Sequence, residues 1–172
     1  WSTEFRKARV AERAAHAPTL VGVTLWRLRG SRAADQARGI VHEEEEKREM
    51  TPERITANTT LFPNDRLRIS IESSRPGYLY VISSERYRDG SAGAPYLIFP
   101  SRRIRRGEHA VQAGRLVELP EPENRRPYFT VKRSRADHVA EELLILVTPR
   151  PLDGVAAIES QPVALQREQV EA

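Results

Sequence analysis

From residue 66 to 72 apolar and polar residues alternate without a break. Leu67, Ile69 and Ile71 point one way; Arg66, Arg68, Ser70 and Glu72 point the other. A period of two predicts a half-buried β-strand, because successive side chains leave opposite faces of an extended chain. The polar residues 73–77 break the run with a Pro76-Gly77 turn pair. Tyr78, Leu79, Tyr80, Val81 and Ile82 follow, apolar on both faces, which predicts a strand in the middle of a sandwich. A Gly-rich turn at 89–93 leads to a third strand, Tyr96, Leu97, Ile98 and Phe99, stopped by Pro100. Three strands joined by short turns are expected to form an antiparallel meander.

The same reading extends along the chain. Residues 20–29 form a first strand with Val21, Val23 and Leu25 on one face and Leu20, Trp26 and Leu28 on the other. Short strands are expected at 39–42, at 54–58 on a sheet edge, at 115–119 and at 128–131. Residues 134–142 fit one helical turn behind a loose capping box. Residues 143–147, LLILV, are apolar on both faces and read as a central strand, stopped by Pro149. The fold class is therefore all-β: an antiparallel, Ig-like β-sandwich of about eight strands. The sandwich body spans 19–152. An N-terminal arm, 1–18, reads as a short Ala- and Arg-rich helix with a thin apolar face; a C-terminal arm, 153–172, has too few apolar residues to fold alone.

The strand GYLYVI at 77–82, the Gly-rich turn, LIFP at 97–100, the AGRLVELP element at 113–120 and the closing strand at 143–149 together resemble an uncharacterised bacterial family. It is a domain of unknown function, and the similarity spans about residues 60–152. Asn64-Asp65 stands where that family usually has Gly-Asp, which affects only the turn type. The resemblance implies a protein that is commonly exported, or appended to signalling or protease-like domains, and it brings no catalytic residues.

Composition narrows the chemistry. At 172 residues the chain is long enough for a proper core, and 39% apolar with 30% charged residues places it among folded, polar domains. The net charge of +4 comes from 28 basic residues interleaved with 24 acidic ones, so no uniform polyanion-binding face follows. The absence of cysteine excludes disulfides, thiol catalysis and cysteine-ligated metals. The four histidines, His16, His42, His109 and His138, stand far apart, outside any metal-binding spacing, and read as surface residues. No apolar run is long enough to span a bilayer as a helix. There is no Gly-x-Ser-x-Gly elbow and no phosphate loop, so no catalytic, cofactor or metal residues are expected.

What remains is surface. Glu43, Glu44, Glu45 and Glu46 are consecutive, so their carboxylates diverge and do not cage a cation. Arg102, Arg103, Arg105 and Arg106 form a basic run of the opposite sign that could meet them across an interface. No aromatic platform or recognition helix accompanies those arginines, so nucleic acid is not an expected partner. Phe5 and Val10 in one arm, and Val163 and Leu165 in the other, are candidates for lending a strand or a helix to a neighbour. The expected function is a non-enzymatic structural or assembly protein, secreted or periplasmic after cleavage of a signal peptide, self-associating through its arms into a filament. The competing expectation is a monomeric module that binds a cell-wall, carbohydrate or protein ligand with Tyr78, Tyr80, Tyr87 and Tyr96 and the arginine run.

Overall fold

Every pairing between named strands is antiparallel in the computed structural model, which describes residues 19–30, 50–159 and 163–165. The strands are β1 (Val21–Gly30), β2 (Met50–Ile55), β3 (Arg66–Ser73), β4 (Gly77–Tyr87) and β5 (Tyr96–Phe99). After a 3-10 turn at Arg105–Gly107 come β6 (Ala110–Val111), β7 (Val117–Leu119), β8 (Phe129–Thr130), β9 (His138–Thr148) and β10 (Val163–Ala164). They form two five-stranded sheets. The first runs β2-β1-β3-β7, with β8 also on β3; the second runs β10-β5-β4-β6, with β9 also on β4. This is the sandwich that the alternation predicts.

The meander is not what forms. β3 pairs with β1, β7 and β8, whereas β4 pairs with β5, β6 and β9, so the turn at 74–76 carries the chain from one sheet to the other. Ser73 Oγ tightens it, donating to the Arg75 carbonyl at 2.8 Å and accepting the Arg75 N–H at 3.2 Å. The crossing suits the apolar pattern better than a hairpin. Ile69 and Ile71 of β3 meet Leu79 and Val81 of β4 across the core, together with Phe99, Val117 and Leu119. Each such side chain taken out of water stabilises the fold by about 1.5–3 kcal/mol. At the crossing Gly77 runs so close to β9 that a Cβ there would lie 2.5 Å from the Thr148 carbonyl oxygen.

Sheet two is apolar on its outer face as well. Tyr80, Ile82 and Leu97 are buried there under Ile158, with Leu152, Val155 and Leu165 packed against them. The C-terminal segment is tied down along this face. The Leu152 N–H donates to the buried Tyr80 hydroxyl at 2.9 Å, and the Leu165 N–H to the Pro95 carbonyl at 2.8 Å. The Ile158 N–H donates to the Pro100 carbonyl at 3.0 Å, and the Ile158 carbonyl accepts from Arg102 N–H at 2.8 Å. Thus the described part of the C-terminal arm lies on its own body.

Four other expectations change. Residues 143–147 are not central among the described residues: they belong to β9, which there pairs with β4 alone and is half-buried from Leu143 to Thr148. Two apolar faces signal cover above and below, and say nothing about neighbours in the plane of the sheet. Residues 138–142 are strand, not helix, because β4 continues to Tyr87 and offers them a ladder. The edge strand expected at 54–58 is β2, which begins at Met50 and runs through Pro52; proline is tolerated where its missing N–H faces away from the ladder. His109 and His138 are half-buried, not fully exposed. His109 packs on Tyr78 and Tyr80, with ring centroids 5.4 and 5.2 Å away, and the His138 side chain is 9% exposed. The strand expected at 39–42 lies outside the described residues, as does the N-terminal arm.

Candidate functional site

β9 has one edge on β4, and among the described residues no strand occupies the other. Which of its backbone groups face outward follows from its neighbour. The Leu79 N–H donates to the His109 carbonyl at 2.8 Å, and the Glu85 carbonyl accepts from the Gly93 N–H at 2.8 Å. Leu79 and Glu85 therefore turn their polar groups away from β9. In an antiparallel pair the residues opposite them must do the same on the far side. Leu79 faces Val147, Val81 faces Ile145, Ser83 faces Leu143 and Glu85 faces Glu141. Hence Glu141, Leu143, Ile145 and Val147 present N–H and C=O to the open edge.

The side chains along this edge are apolar on both faces. Leu143, Ile145 and Val147 pack towards the inter-sheet core, and Leu144 and Leu146 towards the cluster under the C-terminal segment. Open edges are normally guarded by lysine, proline, a bulge or short length. β2, on the outside of the first sheet, has Pro52. β9 has an irregular register beside Tyr87, Glu141 and Glu142 near its start, and Pro149 just beyond its end. Between these guards, residues 143–148 carry no charge and no proline. Such a segment pairs readily with another strand.

At the N-terminal end of the edge sits a titratable cluster. Glu85, His138 and Glu141 each bring one ligand-type atom within 4.8 Å of the others. Their polar atoms are already engaged. Glu85 accepts from the Tyr87 hydroxyl at 2.6 Å, and Glu141 accepts from the Ser83 hydroxyl. His138 Nε2 faces the Ala140 carbonyl at 2.9 Å and Glu141 at 3.3 Å. A carbonyl only accepts, so this contact suits an Nε2–H tautomer, with Nδ1 turned to Glu85 at 4.0 Å. The cluster fastens β9 to β4 and to the loop before it. Arg135 stacks on the Tyr87 ring at 4.1 Å and pairs with Asp137 at 2.7 Å.

The Tyr87 hydroxyl, then a Ser134 hydrogen bond, hold the Glu85 carboxyl below its ordinary value; His138 and Arg135 add to this, and burial opposes it. A carboxylate with a lowered folded-state pKa stabilises the fold above its ordinary value, and that contribution is lost as pH falls through the lowered one. Tyr87→Phe is expected to move the Glu85 titration upward towards an ordinary glutamate, followed by carboxyl NMR, and to shrink the acid-sensitive part of the stability.

The other predicted site residues are scattered. Arg102 pairs with Glu159 at 3.1 Å, and Arg105 lies 3.9 Å from Glu121, whose carboxylate also accepts the Arg105 N–H at 2.9 Å. Arg105, Arg106 and Gly107 have φ of 49°, 54° and 84°. That backbone is costly for an arginine, and the Glu121 bond holds it in place. The arginine run thus turns two of its members towards this chain's own acids. Arg103 and Arg106 are exposed. Val163 pairs with Leu97 of its own sheet, and Leu165 packs on the outer cluster. Phe5, Val10 and Glu43, Glu44, Glu45 and Glu46 lie outside the described residues. The four tyrosines do not make one exposed face: Tyr78 and Tyr80 both pack on His109, with Tyr80 buried, Tyr87 lies edge-on to His138, and Tyr96 is exposed on β5. A polar hollow of about 750 Å³ beside Arg27, Arg29, Glu53, Asp65 and Arg66 lies at one end of the first sheet, where Arg27 holds Glu53 at 2.9 Å.

Fold and site define a β-sandwich module with one long strand edge open among its described residues. The chain belongs to the family described as a domain of unknown function (DUF4384), whose model matches residues 60–151, more than half of the chain. The match takes in β3 to β9 and leaves out β1, β2 and β10. No curated protein and no solved structure shows a detectable match.

Proposed function

We propose that this protein is a non-enzymatic interaction and assembly module that accepts an extended segment along the open edge of β9. One observation carries the reading: Glu141, Leu143, Ile145 and Val147 offer a row of outward N–H and C=O groups on an apolar strand without an internal guard. Strand addition uses such a row for affinity and the alternating side chains for selectivity. The non-enzymatic part is supported by the Glu85, His138 and Glu141 cluster, where Glu85 is held by the Tyr87 hydroxyl, Glu141 by the Ser83 hydroxyl, and His138 lies 3.3 Å from Glu141. Assembly through the C-terminal arm gives way here to assembly through the edge, since residues 163–165 are engaged on β5 and Pro95. Export, tested by fractionating cells that make the protein, belongs to the same proposal and is supported by the family resemblance of the 77–82 and 97–100 strands.

The test uses a synthetic peptide of residues 140–148 flanked by lysines for solubility. It is expected to bind the protein and to slow amide hydrogen exchange at Glu141, Leu143, Ile145 and Val147 above their neighbours. Ile145→Pro removes one outward N–H and leaves the β4 ladder its donors; it is expected to lose the peptide while keeping the circular dichroism of the fold. Uptake of the peptide without protection at those four amides counts against the reading.

A further inference from the structure

We infer that the segment received by β9 is β9 of a second copy, paired antiparallel about a two-fold axis through Ile145. The inference rests on the edge-addition reading above and adds the partner, the symmetry and the register.

The edge asks for a strand apolar on both faces, because both faces of β9 are apolar at Leu143, Leu144, Ile145, Leu146 and Val147. The other long strands of this kind in the described chain are already used. β4 is flanked on both sides by β5, β6 and β9, and β1 by β2 and β3. β9 alone of these has an edge to give. It therefore supplies the complement of its own free side.

Register follows from side chains and from Pro149. Centred on Ile145, the pairing sets Leu143 opposite Val147, Leu144 opposite Leu146, and Ile145 opposite itself. Leu143, Ile145 and Val147 all face outward, so these pairs exchange about six backbone hydrogen bonds, two for each facing pair. Glu142 then meets Thr148, and Arg150 of the other copy stands diagonally across, within reach of a long side chain. Arg150 is exposed beyond the strand end, and Glu142 is already held by Arg86 at 2.7 Å, so the contact joins a base to an acid fixed in place. Shifting the centre to Leu144 sets Glu141 and Glu142 against Val147 and Leu146, a charge on each apolar face. Shifting it to Leu146 sets Leu143 opposite Pro149, which has no N–H to give. The two glutamates guard one direction of slip and the proline the other.

An isologous contact of this kind closes on itself. The expected assembly is a dimer carrying a continuous sheet of two second sheets, not a filament. The chain has no cysteine, so introduced thiols report register without background. Under mild oxidation Ile145→Cys is expected to give a covalent dimer. Leu144→Cys mixed with Leu146→Cys is expected to cross-link, and either alone much less, because 144 faces 146 in this register. Sedimentation of the unmodified protein is expected to show a dimer that Leu144→Lys and Ile145→Pro convert to monomer. Efficient cross-linking of Leu144→Cys alone would move the axis to Leu144 and overturn the register. A monomer at all concentrations, with no cross-linking of any variant, overturns the self-pairing. If that monomer still protects its four edge amides on adding the 140–148 peptide, the edge-addition reading stands and only the identity of the partner fails; if it does not, both fall.

Discussion

Tyr80→Ala is expected to destabilise the protein by about 3–5 kcal/mol, as large aromatic-to-alanine changes in a closed core do. Tyr80 is fully buried at the centre of the outer cluster of sheet two. Its hydroxyl accepts the Leu152 N–H at 2.9 Å and lies 3.3 Å from His109 Nε2. Tyr80→Phe keeps the ring and leaves the Leu152 N–H without that partner, a cost of about 1–3 kcal/mol. The pair of variants separates packing from anchoring. Both should lower the urea midpoint. Tyr80→Phe should also speed hydrogen exchange at Leu152 before the sandwich opens, because its lost bond is the one that pins the C-terminal segment. If Tyr80→Phe unfolds at the wild-type midpoint with unchanged exchange at Leu152, the segment is not held there by this hydroxyl.

The second large effect lies at the crossing between the sheets. Gly77→Ala puts a methyl group 2.5 Å from the Thr148 carbonyl oxygen and 2.9 Å from Val147 Cγ1. The first neighbour is backbone and moves only if β9 moves. Overpacking of this kind costs about 1–3 kcal/mol, which for a domain of this size lowers the melting temperature by roughly 2–4 °C per kcal/mol. The control is Gly30→Ala, where a Cβ meets nothing within 4 Å among the described residues and no such loss is expected. Thermal melts of the two variants side by side test the claim.

Much of the fold was legible in local pattern. The alternation at 66–72 gave β3 almost to the residue, and the two-faced apolar run at 78–82 gave the first half of β4, which runs on to Tyr87, because strand periodicity is a local property. Sheet membership was not legible. A short turn with Pro76-Gly77 suits a hairpin and a crossing equally, and the choice is made by Ile69 and Ile71 finding Leu79 and Val81 across the core. The edge position of β9 among the described residues was not legible for a related reason: LLILV describes what lies above and below the strand and not what stands beside it. Of the candidate site, the sequence pointed to arginines and arms. Arg102 and Arg105 turned out to face Glu159 and Glu121, separated from them by intervals that no motif marks. The cluster of Glu85, His138 and Glu141 was equally hidden, since only the β4–β9 ladder brings 85 beside 141.

That ladder has a kinetic consequence. It joins Tyr78 to Thr148 and Tyr87 to His138, so the longest pairing in sheet two closes a large loop of chain. Contacts so remote in sequence slow folding, and sandwiches dominated by them typically fold in milliseconds to seconds. On the ribosome, at about 5–20 residues per second, β4 is made several seconds before β9 exists to cover its flank. During that interval β5 can already pair with β4, while the flank that β9 will cover still waits for its strand.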